Sequence, residues 1–180
     1  MNIKPFRDIS EHEVINLFAY DGAVAPKGTF VELKSLDLSG ATNGFTNIPV
    51  GNNYNGTFSY RYANQARVAN AASGSAKVLG MLLYDVNDND ENGQAIRFLS
   101  RDAKVARGLV SSGETVPILT RGLVEIGGFV GSPGPGSGAY VSNSGDGSIS
   151  VGAPGAAGIK VGKFLSTSGA DGYAILKVEL

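Results

Sequence analysis

The sequence predicts an all-β protein, a compact β-barrel or sandwich of short antiparallel strands with an extended N-terminal arm. Three observations carry that expectation. Glycine supplies 26 of the 180 residues, about twice the usual share, and each glycine in a helix interior costs roughly 1 kcal/mol relative to alanine. Apolar residues recur at alternate positions in several short runs, the period of a half-buried strand. Turn dipeptides, Asp146-Gly147 and Asp171-Gly172 among them, separate such runs where hairpins would need them.

The N-terminal residues 1–22 are expected to form the arm, and 23–180 the β domain. Within the arm, Glu11, His12 and Glu13 precede the apolar stretch Val14-Ile15-Asn16-Leu17-Phe18, which has no partner in its own neighbourhood. It can serve as an edge strand of the domain or dock on a neighbouring subunit. Pro26-Lys27-Gly28 makes a turn before Thr29-Phe30-Val31-Glu32-Leu33, whose apolar residues alternate. Residues 39–56 are dense in glycine and asparagine and read as a long loop. Thr57 to Tyr62 alternates with three aromatics on one face, and Lys77 to Val86 reads as a buried strand.

A polar turn, Asn87 to Gly93, leads into the strand-like Gln94 to Leu99. Periodicity does not choose between a helical turn and a strand for Ser100 to Arg107. Gly113 to Ile126 contains two strand-like runs, and Pro117, which has no N–H to donate, belongs at a sheet edge or strand start. Residues 127–172 hold 14 of the 26 glycines, yet only Asp146 carries charge across 126–159. A disordered segment carries more charge and fewer valines and isoleucines, so short strands and tight turns are expected there, 131–138 being a Gly/Pro loop. Tyr173 to Val178 closes the chain as a strand.

Composition excludes several classes of function. Fifteen basic residues face sixteen acidic ones, for a net charge of -1, leaving no basic footprint for nucleic acid and no polybasic patch for a membrane. The absence of cysteine removes disulfides, thiolate zinc sites and cysteine nucleophiles together. No run approaches the roughly 18 apolar residues of a membrane span, and the start, MNIKPFRDISEHEV, lacks the apolar core of a secretory signal. The expectation is synthesis in the host cytoplasm and assembly from there.

Catalytic inventory is thin, and a non-enzymatic role without cofactor is expected. His12 is the single histidine, between two glutamates, whereas a triad or metal-hydrolase site needs histidine in a formed pocket. Asp88-Asn89-Asp90-Glu91-Asn92-Gly93 matches the opening of a calcium loop, with Asp88, Asp90 and Asn92 as a weak cation candidate. The twelfth position is Leu99 rather than a bidentate glutamate, so a solvated acidic turn is the plainer reading. The glycine-rich Gly131 to Gly138 lacks the lysine of a phosphate cradle. Arg97, Arg101, Lys104 and Arg107 form a basic run that suits either a solvated strand face or an acidic partner.

Arg107-Gly108-Leu109-Val110-Ser111-Ser112-Gly113-Glu114-Thr115-Val116-Pro117-Ile118, followed by Thr120-Arg121-Gly122-Leu123-Val124, resembles the core of phage capsid decoration (head cement) proteins. Val161-Gly162-Lys163-Phe164-Leu165 and Ser168-Gly169-Ala170-Asp171-Gly172 stand where that family has its glycine-bearing return, and Ala139-Tyr140-Val141 is similar to one of its strands with aromatic and valine exchanged. The resemblance covers roughly 101–180. It implies a β-barrel virion protein on the capsid exterior, a homo-oligomer with a trimer favoured, whose partner is the major capsid protein and whose arm braces neighbouring capsomers. Interface candidates are then Val14, Ile15, Leu17 and Phe18 in the arm and Arg101 and Lys104 in the basic run. Binding only the assembled lattice would stabilise it by mass action.

Two other classes compete. A receptor- or glycan-binding module of a phage tail or fibre would share this composition, although fibres more often show internal repeats, and none is visible. A small jelly-roll enzyme would need at least two metal-binding histidines, and the chain has one.

Overall fold

A computed structural model describes residues 1–180 except 7, 21, 23, 35–66, 73, 75, 76, 112, 113 and 153–157. The loop at 39–56 and the alternating run at 57–62 therefore lie outside the described residues. The strands are β1 (Asn2–Pro5), β2 (Val14–Ile15), β3 (Ala19–Tyr20), β4 (Phe30–Leu33), β5 (Arg67–Asn70), β6 (Val78–Leu82) and β7 (Asp85–Asn87). After the helix α1 (Arg101–Arg107) come β8 (Leu109–Ser111), β9 (Ile118–Leu119), β10 (Arg121–Gly127) and β11 (Gly138–Val141). The chain ends with β12 (Ile149–Val151), β13 (Lys160–Phe164) and β14 (Tyr173–Glu179). The all-β expectation holds.

Two six-stranded sheets carry the structure, in the orders β1-β10-β14-β13-β11-β12 and β2-β9-β6-β4-β5-β3, with β7 and β8 paired in parallel beside them. They share one core. Phe30, Met81 and Leu119 from the second sheet pack in a single cluster with Val124, Val141, Val161, Phe164 and Leu176 from the first. The alternation that predicted strands also sorts the faces: β14 buries Ala174, Leu176 and Val178 while Ile175 and Lys177 sit nearer solvent. Asp146-Gly147 turns between β11 and β12, and Asp171-Gly172 between β13 and β14, with Gly147 at φ +73° and Gly172 at φ +78°. Both dipeptides do what the sequence asked of them.

Three expectations need correction. Residues 1–22 do not stand off as an arm, because their strands are paired within both sheets. β1 runs antiparallel along β10, with Asn2 opposite Gly127 and Pro5 opposite Val124. β2 pairs Val14 with Leu119 and Ile15 with Ile118, and β3 lies parallel to β5. The edge-strand alternative is the one the structure adopts, and an edge is where Pro5, lacking an N–H, fits. Second, Lys77 to Val86 is two strands broken at Leu83-Tyr84 rather than one. There the chain leaves β6, and the Leu83 N–H donates to the Pro117 carbonyl at 3.0 Å. Third, Gln94 to Leu99 forms a 3-10 turn at Ile96–Phe98, buried on Ile96. Pro117 does stand at a strand start, immediately before β9.

Candidate functional site

The helix α1 and the N-terminal strands frame the main concavity. Ser100 caps α1, its Oγ accepting from the Ala103 N–H at 3.3 Å. Asp102 lies in the first turn and Arg107 in the last, the signs the helix dipole favours. Gly108, at φ +63°, ends the helix in the left-handed conformation. Of the two readings left open for residues 100–107, the helical one is realised.

The four basic residues thereby point to different neighbours. Lys104 turns inward and is 9% exposed; its Nζ lies 2.6 Å from Glu114 Oε1. Glu114 Oε2 in turn accepts from the Ser111 N–H at 3.2 Å. Lys104 is thus held within the chain by its ion pair with Glu114. Arg107 reaches Asp90 Oδ2 at 3.3 Å, and Arg97 lies over the Phe98 ring at 5.5 Å from its centroid. Arg101 is exposed.

Between α1, the kink at Leu83-Tyr84 and the N-terminal strands lies a cleft of about 710 Å³. Its apolar wall includes Ile3, Ile9, Val14, Val105, Pro117 and Val124. The charged side chains along it are Glu11, Lys27 and Arg107. A second hollow of about 550 Å³ shares Asn16, Tyr84, Val105 and Pro117 with the first and extends it past Arg101, Lys104 and Glu114. The two form one continuous groove running the length of α1. Its size falls in the range of ligand-binding clefts, and its surface offers apolar burial with few charges.

Among the interface candidates, the structure brings Val14, Arg101 and Lys104 to this groove. Ile15 is half-buried opposite Ile118, and Phe18 is half-buried against the cluster built on Tyr20, Val68 and Val116. Leu17, between β2 and β3, is 41% exposed, and Phe6, just past β1, is 48% exposed. Neither Leu17 nor Phe6 is part of the groove lining. The most exposed large apolar side chain among the described residues is Phe98, at 83%. The strand-like reading of Gln94 to Leu99 hid it, since alternation would have put it on a face rather than at the tip of a turn.

The acidic turn is occupied by its own chain. Asp90 Oδ1 accepts from the N–H groups of Asn92 (2.9 Å) and Gln94 (2.8 Å), and Oδ2 from Arg107. These bonds, the Gln94 N–H foremost, hold the Asp90 carboxyl below the usual aspartate range. Asp88 and Asn92 are exposed on the same turn. Among the described residues, no group of three or more His, Asp or Glu side chains gathers to hold a metal. His12 sits in a 3-10 turn at Glu11–Glu13, where its backbone N–H donates to Ser10 Oγ at 3.3 Å and its side chain is exposed. Among those residues, no helix is long and apolar enough to cross a membrane. Neither protein-family models nor curated proteins match the chain.

Proposed function

We propose that this chain is a virion structural protein that binds the outer capsid surface and stabilises the lattice of the major capsid protein. One observation carries the reading. Phe6 and Leu17 expose apolar surface from a segment that strand pairing fixes to both sheets. A side chain held by a rigid scaffold loses little freedom on binding, so its burial goes into affinity rather than into ordering. Of the residues that carry the resemblance to capsid decoration proteins, those on β10, β11 and β13 share one sheet with β14, while those on β8 and β9 lie in the other two sheets.

Co-sedimentation of the full chain with decoration-free phage heads tests this. Removing residues 1–20 would be a poor control, because it deletes β1, β2 and β3 from their sheets. Leu17→Glu changes an exposed side chain and leaves the pairing intact. The expected result is saturable binding at a fixed ratio to capsid protein, weakened about ten-fold or more by Leu17→Glu. Failure of the wild-type chain to bind heads would overturn the proposal and direct attention to glycans displayed to a phage tail.

A further inference from the structure

The groove along α1 is left unused by a capsid contact through Phe6 and Leu17, which lie outside its lining. Backbone pairing sets the character of one end. Ala25 and Val86 exchange hydrogen bonds at 2.9 and 2.8 Å, and the Gly28 N–H donates to the Leu82 carbonyl at 2.8 Å. Pro26-Lys27 therefore lies across from Leu83 to Asp85, and the Lys27 N–H donates to Asp85 Oδ1 at 2.7 Å. This brings Lys27 and Tyr84, both half-buried, to the same end of the cleft. Neither is committed elsewhere. Among the described residues, the Lys27 ammonium has no ion pair, and the Tyr84 hydroxyl and backbone N–H have no hydrogen-bond partner. Beside them the wall turns apolar: a Cβ on Gly28 would lie 2.9 Å from Ile3 Cγ2, and Ile3 lines the cleft with Val14, Val105 and Val124.

We propose that this groove binds an unbranched aliphatic carboxylate, the head group held by Lys27 and Tyr84 and the chain laid along Ile3, Val14 and Val105. An ammonium, a phenol and a free N–H all donate, and an ionised carboxylate is a group that only accepts. The charges agree. Arg107 is neutralised by Asp90 at 3.3 Å, and Lys104 by Glu114 at 2.6 Å. That leaves Lys27 and Arg101 unpaired against one carboxylate, Glu11. Glu11 is exposed, where water and salt screen it, whereas Lys27 is half-buried. An anion is therefore favoured over a cation. The cleft of about 710 Å³ lies within the range of ligand sites, which join an apolar lining to a few polar groups that orient the ligand. This binding needs no capsid, so it goes beyond the proposed function and stands or falls apart from it.

The first measurement is isothermal calorimetry of the full chain with decanoate, kept below micelle formation, beside decanol and decyltrimethylammonium as neutral and cationic counterparts. The expected result is saturable one-to-one binding of decanoate, about ten-fold tighter than decanol, the worth of one charge-assisted hydrogen bond. The cation should not bind. Octanoate should bind more weakly than decanoate, since each buried CH₂ contributes roughly four-fold. Lys27→Met removes the ammonium but keeps an apolar stem, and should bring decanoate down to the affinity of decanol while leaving decanol unchanged. Val105 is 51% exposed on α1, so Val105→Glu sets a carboxylate beside the chain without disturbing the core, and should weaken decanoate by more than about ten-fold. Urea midpoints equal to wild type would show that both variants are folded. No saturable heat with decanoate, equal affinity for the three head groups, or decanoate binding unchanged in either folded variant overturns the proposal.

Discussion

The ammonium of Lys104 and the carboxylate of Glu114 meet at 2.6 Å beneath α1, the lysine side chain only 11% exposed. The helix is seven residues long, too short to be stable in isolation, so this contact and the burial of Ile96 beside it anchor the helix to β8.

Breaking that contact on one side should be costly. Lys104→Ala leaves Glu114 partly buried without its counter-ion, and a loss of about 2–4 kcal/mol is expected. The double variant Lys104→Met, Glu114→Leu removes both charges together and should be clearly more stable than Lys104→Ala. Urea unfolding midpoints of the three chains decide the matter; equal loss in single and double variants would show that the charges do not act as a pair.

The hairpin glycines differ in what surrounds them. The Gly147 carbonyl accepts from the Phe30 N–H at 2.8 Å, and a Cβ on Gly147 would run into the Phe30 carbonyl oxygen and Thr29 Cγ2. Gly172 has a similar positive φ but open space around it. Gly172→Ala should therefore cost only the left-handed strain, about 1–2 kcal/mol, whereas Gly147→Ala should cost distinctly more. Thermal melts of the two variants make the comparison, and equal losses would show that the hairpin tip tolerates displacement from β4.

Asp146 sets an acid limit. Hydrogen bonds from the Ser144 and Ser148 hydroxyls, the first foremost, hold its carboxyl at about 2. A folded value below the unfolded one means that this stabilisation is complete above about pH 4 and is lost as pH falls towards 2. The side chain is exposed, so solvent screening leaves roughly 1 kcal/mol at stake. Wild type should lose stability between pH 4 and 2 more steeply than Asp146→Asn, measured by urea midpoints at each pH.

Calcium should leave the chain unchanged. With Asp90 Oδ1 and Oδ2 committed to Asn92, Gln94 and Arg107, the acidic turn has no inward-facing carboxylate to give. No calorimetric heat and no shift in melting temperature are expected on adding calcium; saturable heat abolished by Asp90→Ala would show that the turn opens to ligate.

Local signals in the sequence were strong where one short segment decides its own conformation. The Asp-Gly pairs mark both hairpins, the alternation of Tyr173 to Val178 marks β14, and Thr29 to Leu33 covers β4. Ser100 and Gly108 are capping residues at the two ends of α1, and weighing them would have favoured helix where periodicity was silent. What could not be read was long-range. Val14 to Phe18 gives no hint that its partner is Ile118-Leu119, a hundred residues on. The groove is likewise assembled from β1, the 9–16 segment, the Leu83-Tyr84 kink, α1 and Pro117, and only the pairing of sheets brings these together. Lys104 looked like one member of a basic surface because Glu114, ten residues later, falls in a separate strand-like run with nothing to show that the two meet.

The placement of β1 against β10 also constrains how the molecule comes into being. Asn2 meets Gly127, and β10 is itself flanked by β14, which ends one residue before the C-terminus. During synthesis the N-terminal strand leaves the ribosome well before either of these strands exists. The first sheet therefore closes only after β10 and β14 have emerged, and such distant pairings make folding slow. Until β10 is made, β1 has no partner strand, and its unpaired edge is a template for aggregation.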